Sequence, residues 1–188
     1  MDKIKSLTGM LDLYDDGDKT NLAAKLFYLE KKIRDIFLGY KLNEIRTPIL
    51  EDTNLFIRSV GGASDIVNKE IYSFNDRNDK GIALRPEGTA SVIRAIIEKK
   101  LDQTNHKLWY MGPMWRYERP QKGRYRQFNQ AGVEILGIPE GMPEFEMISI
   151  VCSIISEFKL QNCTIKINHL GTQKNKESFC NALVKFLE

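Results

Sequence analysis

Two apolar, strand-like runs flank a cationic segment in the middle of the chain. The first run is HKLWYMGPMW (106–115) and the second is QFNQAGVEILG (127–137). Such runs on either side of a polar connection predict two paired strands. A second pair, EIYSFND and GIALR, surrounds the turn-rich RNDK (77–80). Consecutive hairpins with helices on one side indicate an antiparallel sheet rather than a doubly wound parallel one.

Helical periodicity accounts for most of the remaining sequence. Residues 21–38 carry apolar side chains at helical spacing with charges on the other face, which predicts an amphipathic helix ending near Gly39. Further helices are predicted at 86–101, 143–160 and 177–188, and further strands at 42–50 and 163–167. The predicted fold class is α+β, an antiparallel β-sheet flanked by helices, in one unit covering 1–188.

Composition excludes several classes of protein. A net charge of +3 over 188 residues excludes a generally polycationic nucleic-acid coat. No apolar run approaches the roughly 20 residues that span a bilayer, and the N-terminus lacks a signal-peptide pattern, so we predict a cytoplasmic protein with no membrane partner. An odd number of cysteines without close spacing favours reduced thiols, and two isolated histidines predict no metal site on protein ligands. These residues are Cys152, Cys163, Cys180, His106 and His169.

The cationic segment between the long runs has the chemistry of a phosphate site. MWRYERPQKGRYRQFNQ (114–130) sets five cations, interleaved with aromatic residues, against the single acid Glu118. The cations are Arg116, Arg119, Lys122, Arg124 and Arg126. The planar fork of arginine binds phosphate oxygens, and aromatic faces stack on bases. From this chemistry alone, a nucleotide or nucleic-acid site and a solvated loop remain equally open.

The same segment resembles motif 2 of the class II aminoacyl-tRNA synthetases. In WRYERPQKGRYRQF the motif is formed by Trp115, Arg116, Glu118, Arg124 and Phe128. LRPEGTASVIRA and RPQKGRYRQFNQAGVEILG are similar to the histidyl-tRNA synthetases in particular, and YKLNEIRTPILE resembles motif 1, the helix–strand–proline unit of the class II dimer interface. The resemblance implies a class II catalytic core with motif 1 at about 22–48, motif 2 at about 108–137, and a homodimer formed through motif 1.

That resemblance implies ATP-dependent activation of L-histidine and transfer of the histidyl group to tRNA(His), with ATP and Mg²⁺ as cofactors. Arg116 is then the catalytic residue, on the α-phosphate and the substrate carboxylate. Glu118 would accept the adenine amino hydrogens, Phe128 would stack on adenine, and Arg124 would hold the distal phosphates. Because the histidine carboxylate is already ionised, the step needs alignment and positive charge rather than a general base.

Histidine itself requires a second group of residues. The resemblance assigns its α-ammonium to Glu87 and Thr89, with Gly88 allowing close approach, and assigns Gln130 to the bound histidine and Glu134 to the imidazole N–H. From the residues alone, Glu87 reads equally as a helix N-terminal acid. The spacing of Gln130 and Glu134 puts both on one face of a strand, where an acid without a partner is costly to bury.

The tip of the cationic segment resembles the part of the family that meets the tRNA acceptor end. The resemblance implies a base contact for Gln121 and phosphate contacts for Arg119 and Arg126, which position RNA without reading its sequence. Tyr117 and Asn129 stand where the family more often has histidine, and alternation turns both away from the site.

The resemblance also implies that the catalytic domain is incomplete. Motif 3 and the anticodon-binding domain of the family are absent from this sequence, so we expect the 188 residues alone to be inactive or nearly so. Two alternatives stay open. One is the synthetase-like regulatory subunit of ATP phosphoribosyltransferase in histidine biosynthesis, and the other is a non-catalytic RNA-binding module.

Overall fold

A computed structural model describes residues 3–15, 17, 21–60, 70–119, 121–139, 141–168 and 171–187. Its helices are α1 (Leu22–Gly39), α2 (Thr53–Val60), α3 (Thr89–Glu98), α4 (Met142–Glu157) and α5 (Gln173–Leu187). Its strands are β1 (Asn43–Glu44), β2 (Leu50–Asp52), β3 (Ser73–Asn75), β4 (Gly81–Leu84), β5 (His106–Trp115) and β6 (Gln127–Leu136). In this part of the chain, no helix is both long and apolar enough to cross a membrane.

The strands form two small sheets. β5 and β6 pair antiparallel along their whole length, from His106 opposite Leu136 to Trp115 opposite Gln127. β4 lies between β2 and β3 in the second sheet, and both pairings are antiparallel. The α+β class predicted from the hairpins is therefore confirmed. One pairing departs from it, because the short β1 runs parallel to β5.

The β5–β6 pair is covered on both faces. Because side chains alternate along a strand, Trp109 and Tyr110 point to opposite sides. Trp109 packs with Ile33 and Phe37 of α1 and with Ile150 of α4. The other face carries a cluster of α3 and β5 side chains: Val92, Ile96, Leu108, Tyr110 and Met114. The sheet thus separates an α1–α4 layer from an α3 layer, and the side chains predicted to bind ligands lie on the α3 side.

Two predicted strands differ in the structure. The segment predicted as one strand at 42–50 is divided between the two sheets: β1 ends at Glu44, and β2 begins only at Leu50, after Pro48. The strand predicted at 163–167 is wrong, since these residues form no ladder and Ile167 is 74% exposed. A strand-like pattern forms a strand only where a neighbouring edge pairs with it.

Candidate functional site

Three segments meet on the α3 side of the β5–β6 pair. The turn before α3 brings Glu87 and Thr89, and β6 brings Gln130 and Glu134. The connection between β5 and β6 brings the arginines. Alternation along β6 puts Gln130 and Glu134 on the same face, as the sequence predicted, and Phe128 shares that face.

Glu87, Thr89 and Glu134 form one hydrogen-bonded chain. The Glu87 carboxylate accepts the backbone N–H groups of Thr89 at 2.5 Å and Ala90 at 2.9 Å. It therefore caps α3, whose N-cap residue, Gly88, has no side chain to do so. The Thr89 hydroxyl donates to Glu134 Oε1 at 2.7 Å. The helix-terminal interpretation of Glu87 is correct, and its oxygens keep lone pairs that a ligand could use.

The site holds two carboxylates that no described cation neutralises. Neither Glu87 nor Glu134 forms an ion pair within the described ranges. Burial raises the pKa of Glu134, and the nearby charge of Glu87 raises it further, while the hydrogen bond from Thr89 lowers it. Two carboxylates without ion-pair partners favour a ligand that carries an ammonium group or other donors.

Tyr110 lies at the centre of this group, and the sequence analysis missed it. Its hydroxyl is 3.2 Å from Gln130 Nε2, which donates to it. Its ring lies so close to Gly88 and Gly132 that a Cβ atom at either glycine would be 2.2 Å from a ring carbon. Burial raises the pKa of Tyr110, so the phenol is neutral at physiological pH. The one available signal was its even spacing from Arg116, the residue that directly follows β5.

Gln130 carries an acceptor that nothing in the described part of the chain satisfies. Its Oε1 atom is buried without a hydrogen-bond partner, although its Nε2 atom donates to Tyr110. Buried polar atoms are nearly always paired, so an orphan acceptor in a polar pocket points to a missing donor. Like the two carboxylates, this acceptor suits a ligand that carries several N–H donors.

The part of the site predicted to bind the nucleotide is built around Arg116. Its Nε atom donates to the carbonyl of Pro86 at 2.9 Å, and its guanidinium lies 5.2 Å from the centre of the Phe128 ring. Glu118 lies between two arginines, 3.9 Å from Arg116 Nη1 and 3.0 Å from Arg124 Nε. Glu118 Oε2 nevertheless has no aligned hydrogen bond, so its contact with Arg124 is ionic. The structure therefore groups the four residues predicted to bind ATP.

The residues predicted to contact tRNA divide into two kinds. Arg119 and Gln121 are exposed at the end of the connection. Arg126 instead turns back into it, since its Nε atom donates to the Glu118 carbonyl at 3.1 Å and its guanidinium lies 4.0 Å from the Tyr117 ring centre. The phosphate contact of Arg126 stays a prediction, and here its guanidinium is engaged within the protein.

The predicted reduced thiols and the histidines add nothing to this site. Cys152, Cys163 and Cys180 are exposed and unpaired. His106 lies near Thr104 and the Leu101 carbonyl, away from the α3 pocket, whereas His169 falls outside the described residues. Within the described ranges, no group of three or more His, Cys, Asp or Glu side chains could hold a metal ion.

Comparison with known proteins identifies relatives of the whole chain. A family model described as histidyl-tRNA synthetase matches residues 20–175. The histidine–tRNA ligase of Latilactobacillus sakei is 48% identical over 164 residues, covering 85% of this chain and 38% of that protein. The histidine–tRNA ligase of Prochlorococcus marinus (strain MIT 9515) is 44% identical over 189 residues, covering 100% of this chain and 43% of that protein. The chain spans less than half the length of these curated relatives.

Solved structures agree with these relatives. The crystal structure of apo S. aureus histidyl-tRNA synthetase matches 97% of this chain and 42% of its own, with a TM-score of 0.77 and 35% identity. An ATP phosphoribosyltransferase regulatory subunit/histidyl-tRNA synthetase from Bacillus halodurans covers 86% of this chain and 40% of its own, with a TM-score of 0.68 and 21% identity, which shows a shared fold alone. The family match, the sequence relatives and the shared fold together show that this chain belongs to the histidyl-tRNA synthetase family.

Proposed function

We propose that this chain supplies the histidine- and ATP-binding half of a histidine–tRNA ligase catalytic centre. In the full-length protein that centre would join L-histidine to ATP as histidyl-adenylate and then transfer the histidyl group to tRNA(His). One observation carries the proposal. Two carboxylates without ion-pair partners and the unpaired Gln130 Oε1 acceptor lie next to an edge of the site that is rich in arginine. Such a pair of surfaces suits an amino acid that carries an ammonium group, held beside a polyphosphate.

Histidine would bind where the hydrogen-bond acceptors of the site are gathered. Its α-ammonium group would donate to Glu87, Thr89 Oγ1 and the orphan Gln130 Oε1, while its imidazole N–H would donate to Glu134. The close packing of Gly88 on the Tyr110 ring would keep water out from below. A pocket built on such acceptors rejects amino acids that lack the matching donors, because its buried polar groups would then be left unpaired.

ATP would bind along the arginine edge. Arg116, fixed by the Pro86 carbonyl, would neutralise the α-phosphate next to the histidine carboxylate, and Arg124 would hold the distal phosphates. Glu118 would accept the adenine amino hydrogens, with Phe128 beneath the ring. Mg²⁺ would neutralise the charge on the departing pyrophosphate. Positive charge held in place before the reaction stabilises the transition state without reorganisation.

The remaining contacts complete the proposal. Arg119 and Gln121, exposed at the end of the connection, would meet the acceptor end of tRNA(His). A homodimer would form through motif 1, which agrees with apolar side chains left open on α1, where Phe27 is 70% exposed and Leu38 is 57% exposed. The proposal places the reaction in the cytoplasm.

A non-hydrolysable histidyl-adenylate analogue tests the proposal directly. At a concentration of 100 Kd, binding should raise the melting temperature of a chain of this size by about 5–10 °C. Lys122→Gln, which removes an exposed cation of the same connection, should leave this shift unchanged and serves as the control. A response to histidine but not to the analogue would support the regulatory-subunit alternative. Salt-sensitive RNA binding without either response would support the RNA-binding alternative.

Tyr110→Phe should weaken histidine binding by about fivefold, because Gln130 loses the oxygen that holds its amide, and one such hydrogen bond contributes about 1 kcal/mol. Isothermal titration with histidine or the adenylate analogue measures the change. Tyr125→Phe removes the hydroxyl of an exposed tyrosine and should change nothing. Equal affinities for Tyr110→Phe and the unaltered chain would show that the phenol does not position Gln130.

A further inference from the structure

Arg85 is a buried arginine that the proposed chemistry does not use. It follows β4 directly and is only 7% exposed. Its Nε atom donates to the Pro113 carbonyl at 3.1 Å, and its Nη1 atom lies 2.9 Å from the Thr47 carbonyl and 3.2 Å from the Thr47 hydroxyl. All of these hydrogen-bond acceptors are neutral. Burial lowers the pKa of Arg85, the nearby charge of Glu51 opposes that shift, and the guanidinium stays charged.

The backbone of Arg85 joins the same segments as its side chain. Its N–H donates to the Ile49 carbonyl at 3.0 Å, and its carbonyl accepts the N–H of Trp115 at 3.1 Å. The next residue, Pro86, supplies the carbonyl that holds Arg116 Nε at 2.9 Å. One residue therefore links the segment before β2, the end of β5 and the turn that leads to Glu87.

We propose that Arg85 is a positioning residue that fixes the Arg116 guanidinium relative to the Pro86–Thr89 turn. The rigid fork of arginine reaches acceptors on two segments at once, which the single ammonium of lysine cannot reproduce. Burying a charge among neutral acceptors is costly, so its place here is consistent with a demand for geometry rather than for stability. The importance of Arg116 rests on the proposed function, whereas the positioning itself does not.

Arg94 provides a matched control. It is also a partly buried arginine, with its side chain 29% exposed, but it pairs with the carboxylates of Glu51 at 2.8 Å and Glu98 at 2.5 Å. In the described part of the chain, the hydrogen bonds of its side chain go to Glu51 and Glu98, not to Pro86, Pro113 or Arg116. Substitution of either arginine would lower the stability of the fold, whereas only substitution of Arg85 should loosen the hydrogen bond of the Arg116 Nε–H group.

Nuclear magnetic resonance of ¹⁵N-arginine-labelled protein can observe the Arg116 Nε–H group without any ligand. In Arg85→Lys, the exchange of this proton with water should rise by about fivefold, the factor expected for losing one hydrogen bond. Backbone amide exchange in β5 and β6 should stay unchanged, and Arg94→Lys should leave the Arg116 signal as it was. A folded Arg85→Lys protein with an unchanged Arg116 signal would overturn the proposal.

Thr47→Val keeps the test decisive even if Arg85→Lys does not fold. It removes only the hydroxyl acceptor of Arg85 Nη1, and Thr47→Ser, which keeps a hydroxyl, is its control. Thr47→Val should shift the Arg116 Nε–H resonance and speed its exchange by less than about fivefold, while Thr47→Ser should do neither. Identical Arg116 signals in both would contradict the proposal. Because no ligand is added, failure here is distinguishable from failure of the adenylate analogue to bind.

Discussion

Gly132→Ala should destabilise the protein by about 1–3 kcal/mol or more, the range found when a packed core receives an extra carbon. Gly132 lies opposite Tyr110 in the ladder, and a Cβ atom there would be 2.2 Å from the ring and 2.3 Å from the hydroxyl oxygen. The ring has no free side to move to, because Gly88 approaches it as closely from α3. The midpoint of urea unfolding measures the effect.

Gly39→Ala is the matched control for this substitution. Gly39 is the last residue of α1, and a Cβ atom there would meet nothing within 4 Å. Alanine is the better helix former, so this variant should be as stable as the original chain or more stable by about 0.5–1 kcal/mol.

Gly132→Ala should also abolish the response to the adenylate analogue. Equal unfolding midpoints for the two variants would show that the Tyr110 ring yields easily.

Glu134→Gln should make the chain more stable at neutral pH and poorer at binding histidine. The folded-state pKa of Glu134 is raised, chiefly by burial, so the folded chain binds a proton at this site more tightly than the unfolded chain. The stability gained from that proton is present below the unfolded pKa of about 4.3 and is lost as the pH rises through the raised folded pKa. An ionised Glu134 therefore destabilises the fold at neutral pH, and the neutral amide removes this penalty.

The same substitution removes the charged acceptor proposed for the imidazole N–H. Hydrogen bonds to charged groups contribute about 1.5–3 kcal/mol, so histidine affinity should fall by roughly 10- to 150-fold. Urea unfolding from pH 4 to pH 8 and calorimetric titration with histidine measure the two effects. Glu98→Gln, at a carboxylate whose side chain is 69% exposed on α3, should show neither. A Glu134→Gln chain that is less stable at pH 7 and binds histidine normally would contradict both expectations.

Local pattern was sufficient for much of this molecule. Alternation put Gln130 and Glu134 together on one face of β6, and helical spacing located α1. These features depend on short-range geometry, which a sequence displays directly. The grouping of Arg116, Glu118, Arg124 and Phe128 came instead from resemblance to a family, and their ligand contacts stay predictions.

What the sequence left hidden depends on distant contacts. Tyr110 reads as an ordinary strand aromatic until Gly88 and Gly132 approach its ring from two different elements. In the sequence, Arg85 is only a charge next to a helix start; the structure shows that it donates hydrogen bonds to the carbonyls of Thr47 and Pro113. The parallel pairing of β1 and the absence of a strand at 163–167 likewise depend on which strand edges are within reach.

The ion pair between Glu118 and Arg124 has a consequence for which nucleotides the site would admit. In the proposed complex, an adenine amino group that donates to Glu118 Oε2 would compete with the Arg124 guanidinium, whose Nε atom is 3.0 Å away. A triphosphate offers the displaced cation a new anion, so one charged contact is exchanged for another. A bare nucleoside offers none and would leave the guanidinium without a partner. The ligand-free protein would therefore favour nucleotides with a triphosphate over bare nucleosides.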